Sequence, residues 1–172
     1  MAIKHVIGDA TNPVGAKGIK FITHCCNNVG AWGSGFVIAL SKRWGMPELI
    51  YRKWGNGNEY ELGTIQVVPV EKDIIVINLI GQEGIWTVDG VPPIRYEAIK
   101  KGLDNIQELM QTYEGKNPTL HMPRMGAGLA GGSWDKIEEI IKESINVDTT
   151  IYTLPLEAEK YGMKEIYENS SS

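Results

Sequence analysis

His121-Met122-Pro123-Arg124-Met125-Gly126-Ala127-Gly128-Leu129-Ala130-Gly131-Gly132-Ser133-Trp134-Asp135 decides how the chain is read. A short apolar run enters a loop with four glycines in seven residues, Gly126 to Gly132. Ser133 then suits the N-cap of a helix continuing through Ile137, Ile140 and Ile141. Strand, glycine loop and helix start together form a geometry that binds phosphate. Glycine lets backbone N–H groups approach an anion, and the first helical turn adds free amides with a partial positive charge. A turn that only needs positive φ uses one or two glycines, so four favour an anion site.

Working outward, Ala2 to Ile7 alternates as a strand and stops at the turn formers Gly8 to Pro13. Ile19 to Cys26 is apolar enough for a central strand and leads into a second glycine cluster, Asn27 to Gly35. Phe36 to Trp44 reads as a buried helix stopped by Gly45, and Pro47 suits the first turn of a helix reaching Trp54. Leu62 to Val70 and Asp73 to Ile80 read as paired strands around a turn at Glu71-Lys72. Gly81-Gln82-Glu83-Gly84 and a loop through Pro92-Pro93 follow. Ile99, Leu103, Ile106 and Leu109-Met110 recur at helical spacing between Arg95 and Tyr113. Thr119 to Arg124 is a strand, Ser133 to about Asn146 a helix, and Thr149 to Leu154 a last strand. The result is an α/β fold: a three-layer α/β/α sandwich with a mixed central sheet of about six strands. Residues 1–154 form the domain. Residues 155–172 form a charged tail whose end is expected to be mobile.

With 172 residues, 42% of them hydrophobic, the chain can bury one full core. A net charge of −4 argues against duplex nucleic acid but not against an anionic small ligand, which backbone amides can hold. Cys25 and Cys26 are adjacent and offer no disulfide between distant segments. There is no signal peptide or membrane-length apolar run, so a cytoplasmic setting is expected, and charged helix faces make a monomer the default. The three histidines are scattered, so no metal site and no cofactor are expected. Gly126 to Gly131 matches the dinucleotide pattern G-x-G-x-x-G, but only about 40 residues follow it, too few for the strands that pattern normally opens.

Several segments taken together resemble the macrodomain family, the ADP-ribose-binding fold. They are Gly8-Asp9-Ala10-Thr11, the loop from His24 to Gly35, Arg95 to Ile99, Met122 to Leu129, and Ile151 to Leu154. The similarity spans about residues 3–154 and is nearest the branch of ADP-ribose 1''-phosphate phosphatases and terminal ADP-ribose protein glycohydrolases. The resemblance implies that Asp9 accepts a hydrogen bond from the adenine amino group, with Ala10 beside it; the alternative for Asp9 is a turn after the strand. It implies that Gly30, Trp32, Gly33, Ser34 and Gly35, with Gly126, Ala127, Gly128 and Leu129, cradle the diphosphate and distal ribose. It further implies a catalytic set of His24, Asn27 and Asn28, with His24 able to move a proton at neutral pH; the other reading of His24 is a core histidine that holds the loop. Glycohydrolases of this branch pair a lysine with an aspartate, and those positions are Gln82 and Ala130 here. The expected function is therefore ADP-ribose binding with hydrolysis of ADP-ribose 1''-phosphate to ADP-ribose and phosphate. The alternatives are a non-catalytic module for ADP-ribose or ADP-ribosylated protein, and a de-ADP-ribosylating hydrolase lacking the Lys/Asp pair.

Overall fold

The structure is a computed structural model and describes residues 2–15, 17–55, 60–128 and 130–163. Six strands, β1 (Ile3–Ile7), β2 (Lys20–Asn27), β3 (Ile65–Glu71), β4 (Ile74–Gln82), β5 (Thr119–Pro123) and β6 (Thr149–Thr153), form one sheet. Their order is β1-β6-β5-β2-β4-β3, with every neighbouring pair parallel except β3 against β4. The helices are α1 (Phe36–Arg43), α2 (Met46–Gly55), α3 (Tyr96–Gln111), α4 (Trp134–Ser144) and the single turn α5 (Pro155–Ala158).

Alternation along the strands builds two apolar layers. Phe21, Ile77 and Leu79 join Ile99, Leu103 and Ile106 of α3 and Ile137 and Ile141 of α4. Ile22, Val76 and Ile80 join Val37 and Leu40 of α1 and Tyr51 of α2. A strand covered on both faces needs side chains that bury on either side, and this is why Ile74 to Gly81 is buried without a break. Close packing also selects one glycine inside α3: a Cβ on Gly102 would stand 2.4 Å from Leu79 Cγ.

The structure departs from the sequence reading in three places. The β3–β4 turn falls at Lys72-Asp73, because a register shift between Pro69 and Glu71 adds a residue to β3. Pro69 has no N–H to give, and the sheet edge tolerates that. Ser133 does occupy the N-cap of α4, but its hydroxyl makes no cap bond, and its amide instead donates to Tyr96 Oη at 2.8 Å. The segment after Leu154 is not a simple tail through its described part. Pro155 opens α5, a 3-10 turn at Glu159–Tyr161 follows, and the Arg124 guanidinium stacks 3.8 Å from the Tyr161 ring. Residues 164–172, where the mobile end was expected, lie outside the described residues. No described helix is long and apolar enough to cross a membrane.

Since β1, β2, β4, β5 and β6 run parallel, the loops after them leave from one edge of the sheet. In such sheets a ligand crevice forms at this edge.

Candidate functional site

A cavity of about 390 Å³ opens at that edge, within the range of small-molecule sites. Its lining includes Asp9 and Ala10 after β1, His24 and Cys25 of β2, Ser34 to Val37 entering α1, Gln82 ending β4, and Arg124, Met125, Gly126 and Gly128 after β5. Tyr152, Glu157, Lys160 and Tyr161 complete the wall.

Asp9 does two things at once. Its Oδ1 accepts from the Thr11 amide and the Thr11 hydroxyl, both at 2.8 Å, which closes the turn after β1. Its Oδ2 has no partner among the described residues and remains an acceptor on the cavity lining.

In the loop after β2, the side chains of Asn27 and Asn28, which the resemblance implied to be catalytic, hydrogen-bond within the protein. Asn27 Oδ1 accepts from the amides of Val29 and Ala31 at 3.1 and 3.0 Å, and its Nδ2 donates to Ala31 O at 2.7 Å. Asn28 Oδ1 accepts from the Gly84 amide at 2.9 Å. Neither side chain lines the cavity. Trp32 is buried, donates from Nε1 to Ser41 Oγ at 2.7 Å, packs on Tyr51 and does not line the cavity. Gly30, with φ of 80°, makes the turn against Tyr60, and neither it nor Gly33 lines the cavity. The part of this loop that reaches the cavity is Ser34 to Val37. Among the described residues the amides of Ser34, Gly35, Phe36 and Val37 have no acceptor, as expected where a helix begins.

The second glycine loop divides its labour in a way its composition concealed. The Gly132 amide donates to Gly126 O at 2.8 Å, and a Cβ on Gly132 would fall 2.4 Å from that oxygen. Gly126 and Gly131 have φ of 75° and 76°, where a side chain is strained. Packing and turn geometry thus account for three of the four glycines. Gly128 has nothing within 4 Å of its Cβ position and lines the cavity. Among the described residues the amides of Gly126 and Gly128 have no acceptor. Ala127 does not line the cavity, its amide donates to Arg124 O at 3.3 Å, and Leu129 lies outside the described residues.

His24 sits at the cavity floor, only 1% exposed. Asn78 Nδ2 donates to Pro47 O and to Gln66 Oε1, both at 3.1 Å, so Asn78 Oδ1 is the acceptor facing His24 Nε2 at 2.6 Å. The proton therefore belongs on Nε2, and the ring packs edge-on against Trp32. Burial lowers its pKa to about 4 although the bond to Asn78 works the other way. The ring is thus neutral and anchored by Asn78. Burial likewise pushes the Cys25 thiol up to about 12 and Cys26 well above its ordinary value, so neither presents a thiolate. Gln82 and Ala130 both line the cavity.

Lys160 and Tyr161 were not singled out by sequence. The signal available was Pro155, a residue suited to the first turn of a helix. Arg124 anchors this wall through Tyr161, through the Trp134 ring at 5.5 Å, and by donating to Thr153 Oγ1 at 3.0 Å.

No protein-family profile matches the chain. Among solved structures, a Bacteroides thetaiotaomicron protein of unknown function is 46% identical, covers 88% of this chain and 98% of its own, and superposes with a TM-score of 0.83. A macrodomain protein from Streptomyces coelicolor is 40% identical over 88% of this chain and 98% of its own, with a TM-score of 0.74. Among curated proteins, the chromodomain-helicase-DNA-binding protein 1-like of Danio rerio is 28% identical over 88% of this chain, which spans only 15% of that protein's length. A Candida albicans ADP-ribose 1''-phosphate phosphatase is 23% identical over 88% of this chain and 99% of its own.

Proposed function

Because this chain belongs to the macrodomain family, we propose that it binds ADP-ribose in the cavity at the carboxyl ends of its parallel strands. The observation that carries this reading is that two sets of amides without an acceptor among the described residues, Ser34 to Val37 and Gly126 with Gly128, lie on one cavity that also holds the Asp9 carboxylate. The amides supply a partial positive charge for the diphosphate, so an acidic protein needs no cluster of lysines to hold it. Asp9 Oδ2 accepts from the adenine amino group while Oδ1 keeps the turn closed. Ala10, packed at the base of that turn, sets how closely the base can approach. The distal ribose then lies toward Gln82 and Ala130.

A second reading, hydrolysis of ADP-ribose 1''-phosphate by water to ADP-ribose and inorganic phosphate, is favoured by the name of the Candida albicans relative. In this chain that reaction would draw on the amide cradle, because His24, Asn27 and Asn28 are occupied elsewhere. Removal of ADP-ribose through a lysine–aspartate pair has no support in Gln82 and Ala130.

Titration calorimetry with ADP-ribose and with AMP tests the first reading. ADP-ribose is expected to bind markedly more tightly than AMP, since only the former spans both amide sets. Equal affinity would refute the cradle. Release of phosphate from the 1''-phosphate by wild type and by His24→Gln alike would support the second reading, and no release from wild type would reject it.

A further inference from the structure

His121 lies one layer behind the cavity wall: it is buried and does not line the cavity. In the parallel β5–β6 pair His121 stands opposite Thr150 and Pro123 opposite Tyr152, so His121 and Tyr152 are diagonal neighbours on one face. Their contact is polar. His121 Nδ1 lies 2.7 Å from Tyr152 Oη, and His121 Nε2 lies 2.8 Å from Thr119 Oγ1. The Val14 amide donates to the same Tyr152 oxygen at 3.1 Å. Among the described residues His121 Nδ1 is the acceptor open to the Tyr152 hydroxyl, so the hydroxyl hydrogen goes there and the ring carries its own hydrogen on Nε2, toward Thr119. Burial lowers the His121 pKa to about 4, which keeps Nδ1 free to accept.

This chain of bonds ends on the turn that carries Asp9. The first leg of the turn is tied to β6 by main chain, the Gly8 amide donating to Thr153 O at 2.9 Å. The second leg is tied to β6 by the bond from Val14 to Tyr152, and Arg43 reaches Asn12 Oδ1 only at 3.5 Å. The Tyr152 ring lines the cavity and joins Val6 and Ala10 in a small apolar cluster with Phe36 against it. Burying a histidine and a phenol hydroxyl costs stability unless their bonds are made, and the main-chain group these bonds reach is the Val14 amide. We infer that His121 acts through Tyr152 as a positioning residue for the nucleobase: the pair latches the Asp9 turn so that Oδ2 tells adenine, with its exocyclic amino group, from a 6-oxo purine. The inference rests on the ADP-ribose reading of the cavity and of Asp9. A carboxylate discriminates between bases only where it is held still, since a turn that shifts by about 1 Å lets a water bridge the mismatch.

Titration calorimetry compares ADP-ribose with inosine diphosphate ribose, whose base has an oxo group in place of the amino group, on wild type and three variants. Wild type is expected to prefer ADP-ribose at least ~10-fold, because the oxo oxygen faces Asp9 Oδ2 lone pair to lone pair. Tyr152→Phe keeps the ring without the hydroxyl, and His121→Leu leaves the hydroxyl with no acceptor. In both, the preference is expected to fall to about threefold or less. His121→Asn places an oxygen near the position of Nδ1 and is expected to keep the preference within about twofold of wild type. Both histidine variants lose the packing of the ring and should melt lower, so the preference is what separates a latch from a filler of the core. The inference is overturned if Tyr152→Phe or His121→Leu keeps the wild-type preference, or if His121→Asn loses it as fully as His121→Leu. Should His121→Leu not fold, Tyr152→Phe decides alone. Wild type binding both nucleotides equally would reject the Asp9 reading, and wild type binding neither would reject the cavity reading; the inference falls with either.

Discussion

Asp9→Asn separates the two duties of one carboxylate. The Thr11 amide and hydroxyl are donors fixed 2.8 Å from Oδ1, so an asparagine must turn its carbonyl toward them. Its Nδ2 then takes the place of Oδ2 and presents N–H groups where the adenine amino group also presents N–H. The variant thus loses a hydrogen bond to a charged acceptor, about 1.5–3 kcal/mol, and gains an opposed pair of donors. At a factor of ten for every ~1.4 kcal/mol, affinity for ADP-ribose should fall roughly 10- to 150-fold. Stability should change by less than ~0.5 kcal/mol, because asparagine closes such turns as well as aspartate. Calorimetry gives the affinity and thermal unfolding the stability. Wild-type affinity in Asp9→Asn would refute the adenine role, as would a loss of binding matched by a large fall in melting temperature.

Three further outcomes follow from the same geometry. Burial lowers both His24 and His121 to about 4, whereas the unfolded chain binds a proton on each near 6.5. The stability they support is therefore complete above pH 6.5 and is lost as pH falls toward 4, by about 3 kcal/mol per histidine. Denaturant unfolding at several pH values reads this loss, and His24→Gln should remove about half of it; a flat profile in wild type would contradict the burial argument. Gly128→Val should fold as wild type, since its Cβ position is open, yet weaken ADP-ribose binding at least ~10-fold by filling the cavity, as calorimetry would show. Arg124→Ala removes the stacking on Tyr161 and the bond to Thr153, about 1–3 kcal/mol of local stability. Hydrogen exchange should then speed up in residues 155–163 while α3 keeps its protection, and unchanged exchange there would show that the arginine does not anchor the wall.

The sheet and its two helical layers were readable because burial on alternate sides imposes a pattern on the strands and a spacing on α3. Ile99, Leu103 and Ile106 showed it directly. The glycine loops were readable as loops, but composition could not divide one glycine from the next. Gly132 is required by a carbonyl brought close by the loop's own folding, whereas the Cβ position of Gly128 meets nothing among the described residues. The same limit applies to His24, Asn27 and Asn28. A polar residue beside a site in sequence can turn inward to hold the loop: Asn27 does so locally, on Val29 and Ala31, whereas the partners of His24 and Asn28, Asn78 and Gly84, lie more than fifty positions away. Residues 155–161 were hidden for a third reason: a helix of one turn has no period to detect, and its place on the cavity depends on Arg124, which no local pattern links to Tyr161.

The most direct test of the account is a crystal structure with ADP-ribose bound. The diphosphate is expected within hydrogen-bonding distance of amides from both Ser34 to Val37 and Gly126 with Gly128, and the adenine amino group on Asp9 Oδ2. A diphosphate held by side chains elsewhere, or touching only one of the two loops, would contradict it.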